Sequence, residues 1–409
     1  MTGKKTSKLK KLMTGMLIVV GLVCIIGLLA VFSASSNENL SFWEKSIGRQ
    51  VIWMLLGALL VAVIYFFKKE LIFDMSYWLY GLGIGLILLP YLFPAGGGTH
   101  RWLSIGGINY QPSEIMKIIL VLAVAKYFAT TEISKSDFKV LIIPLLMTII
   151  PTLIVLNQPD LGTAIIFLLS LFPIMIWAKV DIINIFILVS PIISVLTAFN
   201  FYTFFIWLIL ILSVLYIKKI KLWHLIFIVV INLALGTVSP YLWNNLRPYQ
   251  QKRILTLFDV DSDPQGAGYQ VIQSQVAIGS GGLSGKGFGQ GKQTHLKFLP
   301  EQQTDFIFSV IGEEWGFIGV SLTLLLYFLM VFLSIQAAYN VVDQFNALVI
   351  IGLAGILFFH IVINIAMTVG LMPVTGLPLP FLSYGGSFLT SCFIMIGLIF
   401  NMSREMDLV

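Results

Sequence analysis

Leu299-Pro-Glu-Gln-Gln-Thr-Asp305-Phe-Ile-Phe308 closes a polar loop and opens an apolar helix on a carboxylate. A carboxylate entering a membrane segment is costly unless it has a partner or a task. The same pattern recurs upstream, where Glu114 and Lys117 open one apolar run and Asp160 opens another. If these openings meet, they form an acid–base pocket at one membrane face.

The rest of the chain agrees with that placement. It is 58% apolar and 11% charged, with mean hydropathy +0.95, whereas a soluble domain carries about 25% charged residues. Runs of roughly 17–25 apolar residues can span a bilayer. Twelve are found, near 13–33, 50–67, 76–93, 113–129, 140–156, 161–178, 182–199, 202–217, 223–243, 306–336, 345–370 and 384–402. The expected fold is an all-α polytopic membrane protein, one integral membrane domain over 1–409 with a long extracytoplasmic loop at 244–305. The first run, Met13 to Phe32, lacks a small-residue cleavage site and is too long for a signal-peptide core. Cys24 and Cys392 both lie in apolar runs, and the four histidines have no metal-ligand spacing.

Charge sets the expected orientation. With the N-terminus inside, 14 Lys and Arg fall on inside segments: the Lys4–Lys11 cluster, Lys68, Lys69, Lys135, Lys139, Lys179, Lys218, Lys219, Lys221 and Arg404. Short outside loops hold only Lys45, Arg49 and Arg101. This is the positive-inside pattern; the net charge of +6 is therefore topological and implies no nucleic-acid partner. Residues 182–217 carry no charge and are read as two short spans turning near Asn200; a single span would move 244–305 to the cytoplasm. Both termini are expected in the cytoplasm, with the chemistry outside.

Each polar group has two readings. Glu114 and Lys117 share a helix face, either as a local ion pair or as a fixed ammonium holding an anionic substrate. Asp160 is placed as a helix N-cap, or with Asn157 and Gln158 as part of a polar pocket. Asp305 also suits a helix start, but Glu313 and Glu314 lie two turns further along, more carboxylates than capping requires. Arg247, Lys252 and Arg253 suit lipid headgroups or a pyrophosphate. The glycines from Gly266 to Gly291 lack the Walker spacing, leaving a loop that wraps sugar or phosphate, or a plain linker. Residues 373–380 read as a rigid proline-rich turn, acceptable at membrane depth only where protein or a cavity surrounds it.

Several stretches resemble the SEDS family of RodA, FtsW and SpoVE proteins, and RodA most. They are Arg101-Trp102, Gln111-Pro-Ser-Glu-Ile-Met-Lys117, Gln158-Pro-Asp-Leu-Gly-Thr-Ala164, Arg253, Asp263 to Gly289, Leu299 to Gly319 and Asn364 to Ser387. Two departures stand out. The family has ten spans, so the 182–217 hairpin is surplus, and Phe388 stands where members often carry a small polar residue. The resemblance implies a peptidoglycan glycosyltransferase that polymerises lipid II at the outer face of the bacterial cytoplasmic membrane for elongation and shape. It implies a class B penicillin-binding protein as partner and Asp305 as the catalytic carboxylate. Arg101, Trp102, Glu114, Lys117, Asp160, Arg253, Glu313 and Glu314 are then the substrate-binding candidates. A divalent cation, Mg or Mn, is compatible with the chemistry, but no ligand set can be fixed. An FtsW-like division polymerase, a lipid II flippase and a non-enzymatic scaffold are the alternatives. Inside loops without polar intramembrane groups speak against the flippase.

Overall fold

A computed structural model describes residues 2–35, 43, 45–93, 100–105, 108–132, 138–218, 222–245, 251–252, 255–256, 266–296 and 298–404. Each expected apolar run is a helix. In chain order these are α1 (Thr2–Ala34), α2 (Ser46–Tyr65), α3 (Lys69–Leu92), α4 (Pro112–Thr130), α5 (Ile142–Asn157), α6 (Leu161–Trp177), α7 (Ile182–Thr197), α8 (Phe201–Ile217) and α9 (Leu222–Asn245). Inside the long loop come α10 (Ala267–Ser280) and α11 (Lys292–His295), then α12 (Ile307–Asn340), α13 (Gln344–Thr368) and α14 (Gly386–Ser403). A short antiparallel hairpin, β1 (Leu103–Ile105) and β2 (Ile108–Tyr110), precedes α4 and pairs Leu103 with Tyr110.

Among the described residues, six helices, α1 from Lys10, α2, α3, α12, α13 and α14, are long and apolar enough to cross a membrane. Helices α5 to α8 have 16 or 17 residues, roughly 25 Å at 1.5 Å per residue. Sequence explains which helices lie inside. A helix apolar on every side must be buried or face lipid. In α13 every residue from Phe345 to Leu357 is buried, so this helix is the centre of the bundle. It packs against α4, α6, α12 and α14. The outer helices instead leave large apolar side chains exposed, among them Leu55 on α2, Trp78 on α3 and Phe201 and Tyr202 on α8. Lipid is the solvent such surfaces suit.

Residues 182–217 form two helices, as expected. The Asn200 side chain caps α8, accepting from the N–H groups of Tyr202 (2.9 Å) and Thr203 (3.3 Å). Helices α7, α8 and α9 build a small core of their own from Ile183, Ile187, Ile211, Leu215 and Ile228. A buried polar net joins them: Ser194 donates to Asn232 (2.6 Å), Asn232 to Ser190 (3.1 Å) and Trp207 Nε1 to Ser194 (3.0 Å).

The long loop differs most from expectation. Its glycine-rich part is docked on a break in α12. Gly316 has φ +62°, outside helical geometry, and the loop takes up the hydrogen bonds freed there. Lys286 and Gly287 donate their N–H groups to the carbonyls of Glu313 and Glu314, at 3.0 Å each. Phe317 and Ile318 donate back to Gly282 (2.9 Å) and Leu283 (3.1 Å). A Cβ on Gly316 would lie 2.3 Å from the Gly285 nitrogen. Only glycine fits both the positive φ and that approach.

Candidate functional site

Alternating helix directions bring the C-terminal ends of α1, α3, α5 and α13 and the N-terminal ends of α4, α6, α12 and α14 to one end of the bundle. Most of the singled-out residues gather there, in three groups.

The first group surrounds Asp160. Its carboxylate caps α6 by accepting the Thr163 N–H (3.1 Å), and its other oxygen accepts from Gln111 Nε2 (2.7 Å). Gln111 precedes Pro112, a residue suited to the first helical position. Asp160 therefore ties the start of α4 to the start of α6. Arg101 Nε donates to the Gln158 carbonyl (2.8 Å), and Gln158 Nε2 to the Ile87 carbonyl (2.6 Å). Both Arg101 and its neighbour Trp102 are half-buried. Burial, reinforced by Glu114 nearby, raises the Tyr110 phenol above its ordinary pKa. Asp160 thus has the capping role, and its second oxygen is taken by Gln111 rather than by Asn157 or Gln158.

The second group is deeper. Lys117 Nζ is 2.8 Å from Glu114 Oε2 and 3.0 Å from His360 Nε2, with the Phe388 ring centroid at 5.4 Å. Ser391 donates to Glu114 Oε2 (3.2 Å). Lys117 is 1% exposed, so the ion-pair reading holds for its immediate contacts. On the same face of α13 one turn on, Asn364 Nδ2 donates to the carbonyls of Leu377 (2.7 Å) and Asp305 (2.8 Å).

The third group holds Asp305. The helix begins after it, with Phe306 at the N-cap, so Asp305 stands one residue before the N-cap position expected for it. The half-buried Asp305 sits against the proline-rich segment. A Cβ on Gly376 would be 3.3 Å from its Oδ2. Residues 373–379 are non-helical and anchored in the protein by buried Val374, Leu377 and Leu379, with Gly376 exposed between them. Ser383 Oγ donates to the Thr304 carbonyl (2.6 Å) and accepts the Leu379 N–H (2.8 Å). Tyr384 N–H donates to the Gln303 carbonyl (2.8 Å).

Glu313 and Glu314 are apart from Asp305 in role. Glu313 accepts from Lys286 Nζ (2.8 Å), the Gln293 N–H (3.0 Å), the Thr294 N–H (3.2 Å) and the Thr294 hydroxyl (3.0 Å). Ser33 of α1 donates to Glu314, and His295 Nε2 stands 4.0 Å away. Both carboxylates hold the loop and α1 to the break in α12. Arg247, Arg253 and Asp263 lie outside the described residues.

The sequence reading did not single out His360, Asn364, Ser383, Ser391 or Lys286. His360 and Asn364 had a legible signal, two polar side chains four residues apart in an apolar helix. Ser391 and Lys286 had none, since their partners are distant in sequence.

Fold and site together define a polytopic helical membrane protein that gathers ionisable groups at one end of its bundle, around a proline-rich turn. The chain belongs to the FtsW/RodA/SpoVE family of cell cycle proteins, whose model matches residues 13–205 and 182–408. The two matches overlap at 182–205, over α7 and the start of α8, where the surplus hairpin was expected. The chain is 35% identical to the peptidoglycan glycosyltransferase MrdB of Escherichia coli K12, over 91% of its own length and 88% of that protein. To the peptidoglycan glycosyltransferase RodA of Treponema pallidum it is 30% identical, over 93% and 94%. Among solved structures it is similar to a chain described in work on structural coordination of polymerization and crosslinking by a peptidoglycan synthase complex. That match has TM-score 0.70 and 30% identity, over 97% and 98% of the two chains. The crystal structure of RodA from Thermus thermophilus matches with TM-score 0.62 and 26% identity, over 96% of each chain.

Proposed function

We propose that this chain is a RodA-like peptidoglycan glycosyltransferase that polymerises lipid II into glycan strands at the outer face of the cytoplasmic membrane. The similarity to MrdB along nearly the whole of both chains carries this reading. The polar end of the bundle supports it. Its basic asymmetry supports cytoplasmic termini, with the polar end and the long loop outside. The peptidoglycan synthase complex among its structural relatives supports a class B penicillin-binding protein as the crosslinking partner.

Chain growth forms a bond from the acceptor 4-hydroxyl to the donor anomeric carbon and breaks that carbon's bond to pyrophosphate. Asp305 takes the hydroxyl proton as general base. The Asn364 bond to its carbonyl and the Ser383 bond to the Thr304 carbonyl fix the backbone that carries it. Arg101, at the polar end of the bundle, supplies a cation for the leaving pyrophosphate, where cations stabilise developing charge, and the family resemblance implies Arg253 as a second. Lys117, enclosed on α4, acts through its field and its hold on α13. Glu114 and Asp160 fix that frame, half-buried Trp102 offers an aromatic surface beside Arg101, and Glu313 and Glu314 hold the loop.

Among the described residues, no group of three or more His, Cys, Asp or Glu side chains is arranged to hold a metal. A protein-built cage for Mg or Mn does not fit them, and no step here passes through a metal. A cation bound mainly by substrate phosphates fits better.

The test is purified protein incubated with lipid II, with and without the transpeptidase, and the glycan resolved on gels. Asp305→Asn retains size and hydrogen-bonding capacity but removes the base, so polymer is expected to fall about 10²–10⁴-fold. Asp160→Asn, which keeps a side-chain oxygen for the Thr163 N–H, is run beside it. Near-normal polymer from Asp305→Asn with loss in Asp160→Asn moves the base to Asp160. No polymer from the unaltered protein in either arm refutes the enzyme.

A further inference from the structure

We propose that His360 and Phe388 are positioning residues for this reaction, forming with Glu114 a cage that fixes the Lys117 ammonium and ties it to the proline-rich turn beside Asp305. The inference rests on the glycosyltransferase reading above.

Proton counting gives the first step. An ammonium donates three hydrogen bonds and accepts none. Lys117 directs one donor to Glu114 Oε2 (2.8 Å) and another to His360 Nε2 (3.0 Å). His360 Nε2 must therefore carry a lone pair, which leaves the proton on Nδ1. Nδ1 faces the Pro378 carbonyl at 3.3 Å, an acceptor able to take it. One tautomer thus satisfies both ring nitrogens, and the ring is a fully buried bridge from α4 to the turn.

Phe388 closes the cage. Its ring centroid lies 5.4 Å from Lys117 Nζ and 4.8 Å from the His360 ring centroid. The aromatic face attracts the ammonium and holds the imidazole from the side. A serine at this position would provide neither the face nor the volume. Phe388 and His360 therefore belong together as one arrangement in this chain.

The consequence is reach. His360 holds the carbonyl of residue 378, and Asn364, one turn along α13, holds the carbonyls of residues 377 and 305. Two adjacent turns of one helix thereby set the turn against Asp305. A rotation of the His360 ring would free the Pro378 carbonyl and let the turn shift relative to the carboxylate. Misplacement of reacting groups by about 1 Å can lower a rate about 10²-fold.

The experiment measures kcat and KM for lipid II in the purified full chain with its transpeptidase. His360→Leu removes both nitrogens; kcat is expected to fall about 10²-fold, with KM within about threefold because no substrate contact is lost. His360→Gln keeps an acceptor for Lys117 and a donor for Pro378, and is expected to recover at least about tenfold of that loss. Phe388→Leu leaves every buried charge paired and should lower kcat about fivefold through the lost aromatic face. If His360→Leu does not accumulate in the membrane, Phe388→Leu against the unaltered protein carries the test. Unchanged kcat in His360→Leu, a Gln variant as poor as the Leu variant, or unchanged kcat in Phe388→Leu overturns the inference. Each result is read only against an unaltered protein that makes polymer, so failure of the enzyme reading is seen separately.

Discussion

Replacing Lys117 by methionine removes the charge while keeping a long unbranched side chain. Glu114 Oε2 then loses its 2.8 Å partner and retains only the 3.2 Å bond from Ser391, with the carboxylate side chain 5% exposed. His360 Nε2 loses its donor as well. Removing one partner of a buried ion pair destabilises by about 3–5 kcal/mol. At roughly 2.1 cal/mol/K per residue, the chain of 409 residues has an unfolding entropy near 0.9 kcal/mol/K. The expected fall in Tm is therefore about 3–6 °C. The companion is the double variant Lys117→Met with Glu114→Gln, which leaves no unpaired charge. Replacing a whole buried pair with neutral groups is often close to neutral, so the double variant should regain most of the lost Tm. Neither should polymerise lipid II at more than a small fraction of the normal rate, because both lack the fixed ammonium. Thermal challenge in detergent followed by size-exclusion chromatography gives the Tm values. The reasoning fails if Lys117→Met melts within 1 °C or so of the unaltered protein, or if the double variant melts as low as the single.

Three further outcomes follow from other parts of the molecule. Gly316→Ala must place a Cβ 2.3 Å from the Gly285 nitrogen at φ +62°, and should destabilise by at least about 2 kcal/mol, read as a lower Tm and faster proteolysis within 281–291. Glu313→Ala leaves the ammonium of Lys286 and the N–H groups of Gln293 and Thr294 without their carboxylate, and hydrogen exchange at 286–296 should rise while that in α13 stays unchanged. A cysteine at exposed Lys292, in a background without Cys24 and Cys392, should react with an impermeant maleimide on intact spheroplasts; labelling only after lysis would reverse the proposed orientation.

The chain itself determined the class, the helix positions and the polar end. Apolar runs long enough to approach bilayer thickness have few alternatives to helix, because every backbone group in lipid must be bonded within its own segment. The turn at Asn200 was legible for a local reason, since a side chain that caps the next helix sits beside it in sequence. Asp160 was legible for the same reason. Tertiary structure decided what each buried charge faces. Lys117 meets His360 and Phe388 from helices more than 200 residues away, and Glu313 meets Lys286 across the loop. No local pattern encodes those distances. The Gly-rich stretch is the clearest case: its composition suits a linker or a ligand-wrapping loop, but its backbone completes the hydrogen bonds of a broken helix. Glycine's freedom of φ makes a stretch permissive, and the open N–H and C=O groups at Glu313 to Ile318 give that freedom a single use.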